Sequence, residues 1–202
     1  MLAMISPSCR RRARRDPPDS GRGVMDRILV MGSPGSGKST FSRRLSQITG
    51  IPVVSLDALY WKPGWKPSDA TEFEARVTEA VRLPRWIIDG DYIWWAGDIR
   101  RSVADAVIWF DLPRQSCMVG LMSRIATSYG RVRPEMAEGC PERINVEFLR
   151  YVWTYRREQR PKLLQYLEGL RADQFLICFT DRAQAHRYLA SFGRREGAEG
   201  VH

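Results

Sequence analysis

The sequence predicts an α/β fold in three layers, with one five-stranded parallel sheet between two layers of helices. Three observations predict it. Five short apolar, β-rich runs recur along the 202 residues: R-I-L-V-M (27–31), I-P-V-V-S-L (51–56), R-W-I-I-D (85–89), A-V-I-W-F-D (106–111) and Q-F-L-I-C-F (174–179). Their apolar residues run together instead of alternating, the mark of parallel strands covered on both faces. Stretches of helical character separate them, at 39–48, 69–82, 113–127, 142–160, 162–171 and 181–192, and strands alternating with helices build a layered α/β sheet.

The first strand leads directly into G-S-P-G-S-G-K-S-T (32–40). This fits G-x-x-x-x-G-K-[ST], the phosphate-binding P-loop, with Gly32, Gly37, Lys38 and Ser39 at the defining positions. The motif belongs between a strand and a helix, and T-F-S-R-R-L-S-Q-I follows with Phe41, Leu45 and Ile48 at helical spacing. The physical reason is donor density. Glycines, here including Gly35, let the backbone N–H groups of residues such as Ser36 approach phosphate oxygens without a Cβ in the way. The helix N-terminus adds unpaired N–H groups and a positive dipole end. Lys38 is placed to reach β- and γ-phosphates, Ser39 to take a position on Mg²⁺, and Thr40 to donate to the α-phosphate.

The second run ends at Asp57, and residues 56–67 read L-D-A-L-Y-W-K-P-G-W-K-P. Tyr60, Trp61 and Trp65 either hold a flat anionic or hydroxylated ligand or anchor the loop on the core. Asp57, at the strand edge where ligands of such sheets bind, is a candidate to accept a proton from an attacking hydroxyl. The third run continues into W-I-I-D-G-D-Y (86–92). Asp89 has the placement of a carboxylate that holds Mg²⁺ directly or through water. Asp91 is the alternative base or a turn residue, and Tyr92 follows it on the acceptor side. Asp111 closes the fourth run and starts the next helix.

Downstream lie Arg124, Arg131, Arg133, Arg143, Arg150, Arg156, Arg157 and Arg160. Phosphoryl transfer spreads charge over the migrating oxygens, and arginines stabilise it. Y-G-R-V-R-P (129–134) suits a closing flap, so Arg124, Arg131 and Arg133 are catalytic candidates and a lid is expected at about 128–141. Pro161 is expected to interrupt the long helical stretch, Pro141 to sit in its first turn, and Asp181 to cap the last helix.

Composition bounds the rest. The net charge is +9, and residues 1–24 hold six arginines against two aspartates with three prolines. That segment reads as a disordered arginine-rich extension or as translated sequence upstream of a start at Met25. The polar, glycine-bearing end at 193–202 reads as a flexible tail. The folded part is expected over 25–192, with the acceptor segment at about 57–83. No apolar run reaches the roughly 18 residues of a membrane span. Cys9, Cys117, Cys140 and Cys178 form no C-x-x-C pair, which argues against a zinc site or disulfide framework and suits the cytoplasm.

The chain from about Met25 to Phe192 resembles P-loop nucleoside/nucleotide-type kinases, and within them adenylate-kinase-like or topology modulation (FlaR-related) proteins. The residues that carry this are the P-loop, L-D-A-L-Y-W-K-P-G-W, W-I-I-D-G-D-Y, A-D-A-V-I-W-F-D-L-P-R and R-V-R-P-E-M-A-E-G-C-P-E. The resemblance implies a P-loop NTPase sheet in the order 2-3-1-4-5, an acceptor site after the second strand and a short lid after the fourth. It departs from adenylate kinases after the third strand. There D-G-F-P-R supplies an arginine for the acceptor phosphate, whereas here D-G-D-Y stands and the next arginine is Arg100. AMP is thereby disfavoured as acceptor, and a hydroxylated or cationic acceptor is favoured.

The function expected is a monomeric phosphotransferase moving the γ-phosphoryl group of Mg·ATP to a small molecule. The alternative is a nucleotide-binding regulator linked to DNA topology, although residues 25–192 hold no DNA-reading motif. A mechanical ATPase ranks last, because Gly90 and Asp91 follow Asp89 where such engines usually place a water-activating glutamate.

Overall fold

The computed structural model describes residues 25–196. The expected extension at 1–24 lies outside the described residues, as does the tail beyond Glu196. Seven strands and eight helices occur among the described residues. In chain order they are β1 (Arg27–Gly32), α1 (Lys38–Thr49), β2 (Val53–Ser55), α2 (Leu56–Tyr60), β3 (Trp61–Lys62), β4 (Lys66–Pro67), α3 (Ala70–Val81), β5 (Trp86–Asp89), α4 (Gly97–Val103), β6 (Ala106–Phe110), α5 (Arg114–Ser128), α6 (Val146–Glu158), α7 (Arg160–Glu168), β7 (Phe175–Phe179) and α8 (Arg182–Glu196).

The main sheet has the order β2-β5-β1-β6-β7, and every pairing in it is parallel. These labels differ from the expected 2-3-1-4-5 because β3 and β4 intervene in the chain between the second and third strands of the main sheet. That pair forms a separate antiparallel hairpin.

The strands are apolar throughout because both faces are covered. Alternate residues of β1, β5 and β6 serve two cores. Leu29, Met31, Trp86, Ile88, Val107 and Trp109 pack with Phe73 and Val77 of α3 and Leu163 and Leu167 of α7. Ile28, Val30, Ile87, Ile108 and Phe110 pack with Phe41 and Leu45 of α1, Cys117 and Leu121 of α5, and Ala185 of α8. At roughly 1.5–3 kcal/mol per fully buried large apolar side chain, these two cores dominate the stability of the sheet and hold its C-terminal edge rigid.

Caps set the helix boundaries. Asp69 accepts the Glu72 N–H, Asn145 the Phe148 N–H and Asp181 the Gln184 N–H. The stretch expected as one helix from 142 starts only at Val146, because Asn145 caps it. Pro141 therefore lies outside any helix, and its carbonyl accepts the indole N–H of Trp65 at 3.1 Å. Pro161 falls in the first turn of α7, where its missing N–H costs nothing. The last helix runs to Glu196, four residues past the expected boundary.

Candidate functional site

The loop between β1 and α1 is built on left-handed glycines. Gly35 and Gly37 have φ of 75° and 100°, values L-residues rarely adopt. Gly32 has φ of 141°, and a Cβ there would lie 2.6 Å from the Phe110 carbonyl oxygen. Glycine is therefore required twice over: once for the turn, and once so that β1 and β6 meet closely where the loop begins. Gly37 precedes α1 without a side-chain cap, so the first-turn N–H groups of α1 have no side-chain acceptor at that position, an arrangement able to receive an anion. Ser36 is fully buried, and its hydroxyl has no hydrogen-bond partner.

Asp91, singled out in the sequence as an alternative base or a turn residue, holds the loop from one side, and Arg182, which sequence reasoning missed, holds it from another. Asp91 accepts the Gly32 N–H through Oδ1 at 2.7 Å, and its Oδ2 accepts from the Tyr155 hydroxyl. Arg182, the first residue of α8, donates to the carbonyls of Gly35 at 2.8 Å and Ser116 at 2.9 Å, tying the loop to α5. Arg182 follows the last strand at the ligand edge of the sheet, which is the signal that marks it. Tyr151 and Tyr155, with Phe148, stand on one face of α6 at helical spacing, which is theirs.

Asp89 ends β5 and is 4% exposed. Burial pushes its carboxyl up to about 6, against the pull of the Lys38 ammonium and a hydrogen bond from the Ser39 hydroxyl. Its Oδ1 is buried with no hydrogen-bond partner in the protein. Asp91 is also raised by burial, with Lys38 and the Tyr155 hydrogen bond acting against it. Tyr92 and Tyr155 are raised by burial and by the neighbouring carboxylates, so both phenols stay protonated.

Two cavities open at this edge. The larger, about 860 Å³, is lined by Gly35 to Thr40, by Arg43 and Arg44, by the outer part of α5, and by Arg182, His186 and Leu189 of α8. The smaller, about 550 Å³, is lined by Asp57, Tyr60, Trp61, Trp65, Asp91, Tyr92 and Trp95, with Phe148, Tyr151 and Tyr155 of α6 opposite. Lys38, Ser39, Arg124 and Arg133 line both. Asp89 lines neither and sits beneath Lys38 and Ser39.

The aromatics pack on one another as well as on the cavity. Tyr60 stacks on Trp95 at 5.5 Å, meets Trp61 edge-on at 5.0 Å and packs on Phe73. The core-anchor reading holds for Tyr60, which also lines the cavity. Asp57 sits in the first turn of α2 and accepts the Tyr92 hydroxyl at 2.8 Å.

The segment after α5 folds down onto the β3–β4 hairpin. Gly64 N–H donates to the Gly139 carbonyl at 2.9 Å, Cys140 Sγ to the Lys62 carbonyl at 3.2 Å, and the Ser55 hydroxyl to the Glu135 carbonyl at 2.7 Å. Here the arginines are paired. Glu142, 5% exposed, takes Arg124 at 3.1 Å and Arg133 at 2.7 Å, and Glu135 takes Arg133 at 2.8 Å. Glu135 and Glu142 were not singled out in the sequence. Arg131 is the exception among the expected lid groups. Its side chain is exposed and lines neither cavity, while its backbone closes the segment through bonds with Ser128 and Glu142.

Arg156 and Arg160 converge on Asp111, Arg160 with two bonds of 2.7 Å. Asp111 therefore anchors α6 and α7 to β6. Arg157 is exposed and pairs with Glu158. Arg100 is fully buried, donating to the carbonyls of Asp91 at 2.9 Å, Tyr92 at 2.8 Å and Ala96 at 3.2 Å. It fixes Tyr92, whose φ of 33° lies in the left-handed region.

No protein-family model matches the chain, and no curated protein does. Among solved structures, a gluconokinase from Sinorhizobium meliloti 1021 is similar at 17% identity with a TM-score of 0.47, over 88% of this chain and 98% of that one. No helix among the described residues is long and apolar enough to cross a membrane.

Proposed function

We propose that the protein is a phosphotransferase that carries the γ-phosphoryl group of Mg·ATP to a hydroxyl of a small molecule, of the adenylate-kinase-like, topology-modulation type that its motifs resemble. The observation that carries this is the junction of the two cavities. A donor space walled by the glycine loop and an acceptor space walled by aromatics and Asp57 share Lys38, Ser39, Arg124 and Arg133. A migrating phosphoryl group belongs between donor and acceptor, and those are the charges it needs.

In this reading Gly32, Gly35, Ser36, Gly37, Lys38, Ser39 and Thr40 hold the triphosphate. The Ser36 hydroxyl, buried in that loop without a hydrogen-bond partner, is a donor it could offer. Ser39 and the orphaned oxygen of Asp89 fit Mg²⁺, which would neutralise phosphate charge there. Such an ion would be bound mainly through phosphates and water. Asp57 takes the proton of the acceptor hydroxyl. Asp91 is a poor base because both of its oxygens are engaged, one by Gly32 and one by Tyr155. Arg124 and Arg133 stabilise the transferring group, and the segment bearing Glu135 and Glu142 excludes water that would otherwise take the phosphate.

The test is to incubate the pure protein with γ-labelled ATP, Mg²⁺ and a panel of nucleosides, nucleotides and hydroxylated metabolites. Acceptor-stimulated ADP formation is expected. ATP binding without any acceptor-stimulated ADP overturns the proposal.

A further inference from the structure

The acceptor cavity contains a charge pattern that narrows what it can hold. Asp57 forms no ion pair within 4.0 Å among the described residues; its recorded partner is the neutral Tyr92 hydroxyl. The cavity around it is lined by a cluster of electron-rich rings: Tyr60 lies 5.0 Å from Trp61 and from Tyr92, and 5.5 Å from Trp95. Such rings attract a cation over their faces and repel an anion. The cavity's own cations are elsewhere or engaged. Lys38, Arg124 and Arg133 stand at the junction with the donor space, and Glu142 holds both arginines. Arg100 is buried under backbone carbonyls and lines neither of the two cavities.

The rim shows the same preference within the molecule. Arg143 lies 5.1 Å from the ring centre of Trp65, and Lys162 lies 5.4 Å from that of Trp94. Both tryptophans line this cavity. A phosphate or carboxylate placed among Asp57, Tyr60 and Tyr92 would face an anion and aromatic rings, the cavity's cations being Lys38, Arg124 and Arg133 at the junction and Arg143 at the Trp65 rim. An ammonium group would meet both favourably.

Building on the phosphotransferase reading, we propose that the acceptor is an amino alcohol, a small molecule with a free hydroxyl and a protonated or quaternary amine. The hydroxyl sits at Asp57 and the ammonium among Tyr60, Trp61, Tyr92 and Trp95. The hydroxyl oxygen attacks the γ-phosphorus, its proton passes to Asp57, and the bond from the γ-phosphorus to the β–γ bridging oxygen breaks with its electron pair leaving on ADP. The product is a phosphate monoester that keeps its amine, and Asp57 returns the proton to solvent.

The test uses the full chain with Mg²⁺ and a non-hydrolysable ATP analogue, titrated with matched pairs while tryptophan fluorescence is read. Choline is set against 3,3-dimethylbutan-1-ol, its neutral isostere, and glucosamine against glucose, with AMP as the anionic control. At least one ammonium compound is expected to bind tenfold or more tightly than its neutral partner, and AMP more weakly than either. That preference should fall below about threefold in Asp57→Asn and in Trp61→Leu, two variants at different points of the site whose folding is checked by thermal melting. No cationic preference in either pair, or tighter binding of AMP, overturns the inference. ADP release with the same compounds separates the two readings. Turnover of neutral alcohols alone sinks the amino-alcohol assignment and leaves the phosphotransferase, whereas cation-selective binding with no ADP from any compound sinks the phosphotransferase and leaves the cationic site.

Discussion

Asp91 accepts the backbone N–H of Gly32 at 2.7 Å, so the acidic loop after β5 fixes the first residue of the glycine loop. The same carboxylate takes the Tyr155 hydroxyl from α6, which makes one side chain the link between the glycine loop and the α6 wall of the smaller cavity. Asp91→Ala leaves a buried N–H and a buried phenol without partners, and each such loss costs about 1–3 kcal/mol. A clear fall in melting temperature and in ATP affinity is expected. Asp91→Asn can still accept from Gly32 and donate to the phenol oxygen, so it should keep most of its turnover. Loss of turnover in Asp91→Asn with ATP affinity intact would make Asp91 the base after all.

Asp57→Asn should behave in the opposite way. The amide keeps the shape and the bond from Tyr92 but cannot take a proton. A drop in kcat of about 10²–10⁴ is expected, with ATP affinity and melting temperature near those of the parent. Steady-state kinetics beside calorimetry reads both. Equal loss in rate and ATP affinity would mark Asp57 as structural.

Lys38→Ala should fold and fail to turn over. Lys38 lines both cavities and belongs to neither core cluster. Removing one such charge from a transition state typically costs about 10²–10³ in rate. A circular dichroism spectrum matching the parent, with ADP formation at background, is the expected pair of results.

The contrast between these residues shows how much the sequence disclosed. The sheet was legible because its central strands are buried on both faces, so Ile28 to Met31 and Val107 to Phe110 read as unbroken apolar runs. The glycine loop was legible because its chemistry leaves little freedom in residue type. Asp57, Asp89 and Asp91 were found by their position at strand ends. The short helix α2 was missed because L-D-A-L-Y is too brief to show a period, and α4 because G-D-I-R-R-S-V carries little apolar signal. The β3–β4 hairpin was hidden by its lysines and prolines, and its turn needs positive φ at both Gly64 and Trp65. Arg100 reads as a surface charge, yet it is sealed beneath backbone carbonyls that no local pattern reveals. Glu142 and Tyr155 act through partners 18 and 64 residues away in sequence, a pairing only the fold creates.

Glu142 supplies a further prediction. It is 5% exposed and holds two arginines, one of them 11% exposed in its side chain. Glu142→Gln removes the ion-pair partner of Arg124 and leaves Arg133 with Glu135 alone, and breaking a buried pair costs about 3–5 kcal/mol. The segment over the cavities should loosen, with faster amide exchange at 130–142 and a larger loss in kcat than in ATP affinity. Restoring a carboxylate with Glu142→Asp should recover part of both. Unchanged exchange in Glu142→Gln would show that the hairpin contacts alone hold the segment down.

Asp89 sets a pH dependence whose sign follows from burial. Its folded-state carboxyl stands at about 6 against 3.8 in the unfolded chain, with desolvation as the largest cause. The folded state therefore binds this proton more tightly. The stabilising contribution is fully present below the unfolded value and is lost as pH rises through about 6. Between pH 5 and 7.5 this amounts to on the order of 1 kcal/mol. In metal-free buffer the parent should melt at higher temperature at pH 5 than at pH 7.5, and Asp89→Asn should flatten that trend while raising stability at pH 7.5. Mg·ATP should reverse the order at pH 7.5, stabilising the parent more than Asp89→Asn, because an anionic oxygen that is costly when alone becomes an asset beside a cation. A parent whose melting temperature rises from pH 5 to 7.5 as steeply as that of Asp89→Asn would show that Asp89 is not held in its uncharged form by the fold.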